Sequence, residues 1–215
     1  MNLCIVTAYT PTPGWKELGE FTVLSMKEYA DRHGLDLKAF TDGFDRTRAF
    51  QWSKIQFIKR VLPEYEWVWW LDADAIITNQ KKGIGRFLFQ DADVVIGHQL
   101  ETDSFCNTGS FFVRNCPFSF WLLDEIWKRD DLANKAYHEQ TALSNLYESG
   151  QCQNRVKLIP FKEINSFCDA YAERYGFSSK EELQWHVGDF VAHCCGYSVN
   201  HRLEILREFW KFTIR

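Results

Sequence analysis

A chain of 215 residues, 46% hydrophobic and 25% charged, holds enough apolar material for one α/β core and gives no composition shift that asks for a second domain. A formal charge of −4 argues against a nucleic-acid partner, which needs clustered lysine and arginine, and leaves open a small anion bound through one or two local cations. No run reaches membrane-spanning length, the first apolar stretch is too short for a secretory leader, and the seven cysteines form an odd set without Cys-x-x-Cys pairs, so the expectation is reduced thiols in a soluble cytoplasmic protein or in one domain of a larger one.

Leu3 to Ala8 reads as a buried first strand, and Thr10-Pro-Thr-Pro-Gly14 then breaks regular structure. Residues 16–33 carry a partly amphipathic helical pattern that Gly34 stops, and Leu35 to Phe40 reads as a second strand. Ser53 to Leu62 reads as a helix ended by Pro63. An apolar stretch rich in β-formers follows over residues 67–79. Ala92 to Gly97 and Thr108 to Arg114 read as strands, Pro117 to Lys128 and residues 138–148 as helices, and Val156 to Pro160 as a short strand. Phe190 to His193 closes an apolar stretch, and Asn200 to Arg215 has the spacing of a packing helix. The alternation predicts an α/β fold with a mainly parallel central sheet flanked by helices, whose ligands bind outside the carboxyl ends of the strands.

The stretch Trp-Val-Trp-Trp-Leu-Asp-Ala-Asp-Ala-Ile-Ile over residues 67–77 is the richest in chemistry. Carboxylates beside a buried strand must be paired, solvated or bound to a cation, and alternate strand residues point the same way. Asp72 and Asp74 are therefore expected to converge on a hard divalent ion, which takes oxygen ligands and keeps positions for substrate phosphates. The loop after Ala8 falls at the same end of the sheet.

Six ordered segments carry a family resemblance. They are Val-Thr-Ala-Tyr at residues 6–9, Trp52-Ser-Lys-Ile55, the aspartate strand, Cys106-Asn-Thr-Gly-Ser-Phe-Phe-Val-Arg-Asn115, Glu139-Gln-Thr-Ala-Leu143 and His193-Cys-Cys-Gly196. Together they resemble the metal-dependent GT-A glycosyltransferases, most of all glycosyltransferase family 34, with kinship to the retaining family 8. The resemblance implies a single Rossmann-like domain over residues 1–215, with a nucleotide-binding part over about 1–100 and an acceptor and sugar part over about 101–215. It implies transfer of a sugar from a nucleotide donor, UDP-linked by expectation, to a hydroxyl of a glycan, with retention.

By the same resemblance Asp72, Asp74 and His193 hold Mn²⁺ or Mg²⁺, and an imidazole among oxygen ligands favours Mn²⁺. Thr7, Ala8, Tyr9, Asp72 and Ala73 fall at the nucleotide, Lys54 and Gly196 at the diphosphate, and Asn107, Thr108 and Gly109 at the donor sugar. Gln140 and Glu139 match positions near the anomeric carbon. The chain has His138-Glu139-Gln140 where paired aspartates are common, and it lacks the Lys-Pro-Trp that follows the histidine loop in many family 8 members. An inverting reaction would need a carboxylate base, for which Glu139, Asp169 and Asp189 are the candidates. Two other readings compete: a haloacid dehalogenase-type phosphatase with Asp72 as nucleophile, and a non-catalytic carbohydrate-binding or sugar-nucleotide-binding module that uses the aromatic rings as stacking surfaces.

Overall fold

The first half of the chain runs β1 (Leu3–Ala8), α1 (Trp15–His33), β2 (Asp36–Phe40), α2 (Ser53–Val61) and β3 (Trp67–Leu71), in a computed structural model that describes residues 2–98, 105–133, 137–168 and 183–215. Gly34 ends α1 at φ 63°, in the left-handed region that suits glycine, with its N–H returned to the Ala30 carbonyl. Pro63 cannot continue the α2 hydrogen-bond ladder, and a single 3₁₀ turn, Leu62–Glu64, follows. The second half runs β4 (Ala75–Ile77), β5 (Val94–His98), β6 (Cys106–Arg114), α3 (Pro117–Trp127), α4 (His138–Glu148), β7 (Val156–Pro160), β8 (Val191–His193) and α5 (Val199–Trp210).

Six strands form one sheet in the order β2-β1-β3-β6-β5-β7. Neighbours pair in parallel except around β6, which runs antiparallel to both β3 and β5. The expected mainly parallel sheet forms, with one reversed strand at its centre.

Both faces are buried, so alternate residues of a strand feed different cores. Val68 and Trp70 pack with Ile55 and Ile58 of α2 and with Leu122 and Leu143 of α3 and α4. Trp67, Trp69 and Leu71 face the opposite way, towards Met26 and Tyr29 of α1 and Phe190. Trp69 is stacked on Phe112 at 5.1 Å and on Phe190 at 5.3 Å, and its Nε1 donates to Ser110 Oγ at 3.1 Å. Each such ring contributes roughly 1.5–3 kcal/mol by burial, which anchors the strand that ends at the aspartates.

The apolar run over 67–79 is not one strand. It turns at residues 72–74, closed by the Ala75 N–H on the Asp72 carbonyl at 3.0 Å, and restarts as β4. β4 pairs antiparallel with β8, with Ala75 opposite His193. Helix α1 holds this turn from beneath: Thr22 Oγ1 donates to the Ala73 carbonyl at 2.9 Å, and the Ile77 N–H donates to Ser25 Oγ at 3.2 Å.

All seven cysteines are free. Burial pushes the Cys4 and Cys152 thiols up to about 11. Among the described residues no helix is long and apolar enough to cross a membrane.

Candidate active site

The turn between β3 and β4 aims Asp72 and Asp74 at the same space, and the β4–β8 pairing delivers His193 to it from the far end of the sequence. One ligand atom from each of the three residues falls within 4.8 Å of the others. The convergence owes nothing to strand alternation, because both aspartates lie in the turn. His193 is 2% exposed. Its Nε2 lies 3.3 Å from Asp74 Oδ1 and 4.0 Å from Asp72 Oδ2 without hydrogen-bond geometry to either, and among the described residues neither ring nitrogen has a hydrogen-bond partner. A buried imidazole whose nitrogens make no hydrogen bond is costly, and two carboxylates plus such a ring form a donor set that fits a divalent cation.

Gly109 makes room for that ring. A Cβ there would stand 2.1 Å from His193 Cε1, and the Gly109 carbonyl accepts the Asp72 N–H at 2.8 Å. Burial alone would raise the Asp74 carboxyl, but His193 and Arg202 outweigh it and hold its pKa below the ordinary value. Arg202 Nη1 donates to Asp74 Oδ2 at 2.5 Å.

Lys54 organises the other side. It is 4% exposed, and its ammonium lies 2.9 Å from Asp72 Oδ1 and 2.9 Å from Glu139 Oε1, with the Thr108 carbonyl at 3.1 Å. Burial would depress this ammonium, yet Asp72 and Glu139 overcome it and raise its pKa above the ordinary lysine value. Trp70 Nε1 donates to Asp72 Oδ1 at 2.7 Å. Glu139 Oε1 also accepts Thr108 Oγ1 at 2.9 Å, and Gln140 Oε1 accepts the Thr108 N–H at 3.0 Å. Glu139 Oε2 is buried with no hydrogen-bond partner among the described residues. Glu139 and Gln140 lie in the first turn of α4, directly after its cap Tyr137 and its first residue His138, two non-glycine residues at positive φ, 62° and 44°, a strained entry of the kind found at binding sites.

Two adjoining cavities of about 250 Å³ each share Gln51, Lys54, Asp72, Asp74 and Arg202. One is aromatic, walled by Tyr9, Trp15, Phe44, Phe50 and Trp70, with Ala8 and Ala73 beside them. The other is polar, walled by Asn107, Thr108, Gly109, Glu139, Gln140 and His193, with His138 and Gly196 also on its surface. Apart from the alternative bases Asp169 and Asp189, every predicted site residue except Thr7 lines one of the two. Thr7 is fully buried in β1, and this strand end first reaches the cavity at Ala8. The ring of Tyr9 rests on Gly19 of α1, where a Cβ would come within 2.2 Å of it.

Of the candidate bases, Glu139 is committed to Lys54. Asp189 is held by Lys162 at 3.0 Å and by the His186 N–H at 2.9 Å, and it lines neither cavity. Asp169 lies outside the described residues. Sequence reasoning missed Trp15, Phe44, Phe50 and Arg202. Phe50, two residues before the Trp-Ser-Lys-Ile segment, was the one with a legible signal. Arg202 sits in a helix whose apolar spacing speaks only of packing.

The profile of the galactosyl transferase GMA12/MNN10 family matches residues 5–104 and 90–203. An uncharacterized α-1,2-galactosyltransferase of Schizosaccharomyces pombe is 26% identical over 86% of this chain and 60% of its own length. The probable α-1,6-mannosyltransferase MNN10 of Saccharomyces cerevisiae is 27% identical over 85% of this chain and 57% of its own. A probable xyloglucan 6-xylosyltransferase 5 of Arabidopsis thaliana is 33% identical over 57% of this chain and 30% of its own. The chain therefore spans 60% or less of the length of these three relatives. Among solved structures, a glycosyltransferase involved in glycosylating the major capsid of PBCV-1 superposes with a TM-score of 0.74 at 19% identity, over 97% of this chain and 100% of that one. The galactosyltransferase LgtC gives 0.57 at 11% identity over 95% of each. These likenesses carry the GT-A fold, which sets the phosphatase reading aside, and the sequence match carries the family: this chain belongs to the galactosyl transferase GMA12/MNN10 family, glycosyltransferase family 34.

Proposed function

We propose that the chain moves a sugar from a nucleoside diphosphate donor, with UDP the expected nucleotide, to a hydroxyl of a glycan acceptor, with retention. The observation that carries this reading is the position of the Asp72, Asp74 and His193 cluster on the boundary between an aromatic and a polar cavity. A base on one side and a sugar on the other would leave the diphosphate between them, against the cluster. Those three residues would hold Mn²⁺ or Mg²⁺, which when bound supplies positive charge against the departing diphosphate. A nitrogen ligand beside two carboxylates favours Mn²⁺.

The aromatic cavity suits a base, with Tyr9, Trp15 and Phe50 as stacking faces. In the polar cavity, the unpartnered Glu139 Oε2 is an acceptor for a sugar hydroxyl. The Gln140 amide oxygen is taken by Thr108, so its NH₂ is the group left to meet the sugar. Retention is supported by the state of the carboxylates: Glu139 is held by Lys54 and Asp189 lies away from the cavities. Among the described candidates Glu139 is ion-paired through Oε1 and Asp189 is distant, so we assign the attacking hydroxyl's proton to a departing phosphate oxygen. The names of the relatives span galactose, mannose and xylose, and the polar cavity is the place where that choice is made.

The test is calorimetric titration with UDP and with GDP, each in Mn²⁺ and in EDTA. Metal-dependent binding of one nucleotide is expected, and no binding of either would revive the carbohydrate-module reading. Asp74→Ala should weaken the metal-dependent binding more than about a hundredfold with the fold intact. Undiminished binding would refute the site assignment.

A further inference from the structure

Two permanent cations, Lys54 and Arg202, line the cavities among the described residues. An ammonium has three donors, and those of Lys54 are already matched by Asp72, Glu139 and the Thr108 carbonyl. Nothing remains on Lys54 for a phosphate. Arg202 is differently placed. Its Nε donates to the Tyr197 carbonyl at 2.8 Å, its guanidinium lies 5.0 Å from the Trp15 ring centre, and Nη1 holds Asp74 Oδ2. Nη2 makes no hydrogen bond with a described residue, and the side chain is 17% exposed where the two cavities meet. The two oxygens of Asp74 are divided, since Oδ1 faces His193 while Oδ2 faces Arg202. The arginine and the metal cluster therefore do not compete for one oxygen. Downstream of Gly196 the chain reads Tyr-Ser-Val-Asn-His before Arg202, so no lysine or other arginine from the histidine loop stands nearer.

We infer that Arg202, carried by α5, is the side chain that grips the donor's diphosphate, and that Lys54 is a positioning residue which holds Asp72 and Glu139. The inference rests on the nucleoside diphosphate reading. A planar guanidinium fork, oriented by Tyr197 and Trp15, matches phosphate oxygens better than a saturated ammonium does.

The experiment compares wild type with Arg202→Gln and Arg202→Lys by calorimetry with UDP and GDP at saturating Mn²⁺, and by spin-resonance titration of Mn²⁺ without nucleotide. Arg202→Gln should lose about ten- to a hundredfold in nucleotide affinity while its Mn²⁺ affinity stays within about threefold of wild type. Arg202→Lys, which keeps the charge and loses the fork, should fall between them, and it carries the test alone if the glutamine variant does not fold. Equal nucleotide affinity in the variants and wild type would overturn the inference. So would a nucleotide loss matched by an equal loss of Mn²⁺ affinity, which would mean that Arg202 only positions Asp74. Failure of the wild type to bind either nucleotide would instead bring down the donor reading itself.

Discussion

Substituting Gly109 by alanine adds one methyl group at the point where β6 passes under His193. That methyl would stand 2.1 Å from His193 Cε1 and 2.6 Å from Nδ1, whereas ordinary contact begins at 3.4 Å, so the ring must give by about 1.3 Å, far more than the roughly 0.2 Å tolerance of a metal–ligand distance. The ring has little room to retreat, being 2% exposed, with its backbone fixed opposite Ala75 and its N–H on the Ser166 carbonyl at 2.8 Å. Overpacking of this kind costs about 1–3 kcal/mol, or about 2–12 °C in Tm for a chain of this size. Mn²⁺ affinity should fall at least about tenfold. Spin-resonance titration of Mn²⁺ reads the second quantity and thermal unfolding the first. Gly83→Ala, whose methyl meets nothing within 4 Å, is the control and should melt within about 2 °C of wild type. A Gly109→Ala protein that binds Mn²⁺ as tightly as wild type would show that His193 is no ligand, or that the strand pair is softer than its hydrogen bonds imply.

Lys54→Met leaves Asp72 and Glu139 without their shared cation and should destabilise by about 3–5 kcal/mol in urea unfolding; adding Glu139→Gln should recover part of that loss, and strict additivity would refute the shared-cation account. Thr22→Val removes the hydroxyl that holds the Ala73 carbonyl and should cost about 1 kcal/mol while weakening Mn²⁺ binding; unchanged metal affinity would show that α1 does not shape the aspartate turn. The thiols of Cys4 and Cys152 ionise near 11 in the fold against an ordinary 9.0, so above pH 9 the unfolded chain binds fewer protons than the native one and stability falls as pH rises. The loss should accrue between pH 9 and 11, approaching about 2 to 3 kcal/mol per thiol. Urea unfolding across that range should slope less steeply in Cys152→Ala, and equal slopes would mean that the thiol does not titrate as its burial requires.

Much of this was legible in the residues because burial on both faces leaves a plain signature. The run Trp-Val-Trp-Trp-Leu has no polar member to offer solvent, and only a strand between two helical layers can bury all of it. The reversal of β6 was also within reach: the residues between His98 and Cys106 are too few for the dozen or more that a parallel crossover needs. What sequence could not supply was the pairing of β4 with β8. Ala75 and His193 are far apart in the chain, each strand is three residues long, and no periodicity can be read from three residues. The break at residues 72–74 was hidden for a related reason. Asp-Ala-Asp carries no glycine or proline to mark a turn, and here the turn is enforced by α1 through Thr22 and Ser25 rather than by local preference. Arg202 was invisible because an arginine in an amphipathic helix is ordinarily a solvated residue.

The charges of the site explain why metal and nucleotide should bind together. Asp72, Asp74 and Glu139 face Lys54 and Arg202, so three carboxylates meet two permanent cations and one negative charge is left over. A site with that balance repels a diphosphate, and in a partly buried cleft the repulsion is weakly screened. A divalent ion reverses the sign, and the same cluster then attracts the anion it previously rejected. Nucleotide affinity in EDTA should accordingly be poor for electrostatic reasons alone, even with the aromatic cavity intact, and Glu139→Gln, which removes the surplus charge without touching Asp72, Asp74 or His193, should raise it. If that variant binds UDP or GDP in EDTA no better than wild type does, the metal requirement stems from direct coordination and not from the charge balance, and the two cations of the site serve only to hold the carboxylates apart.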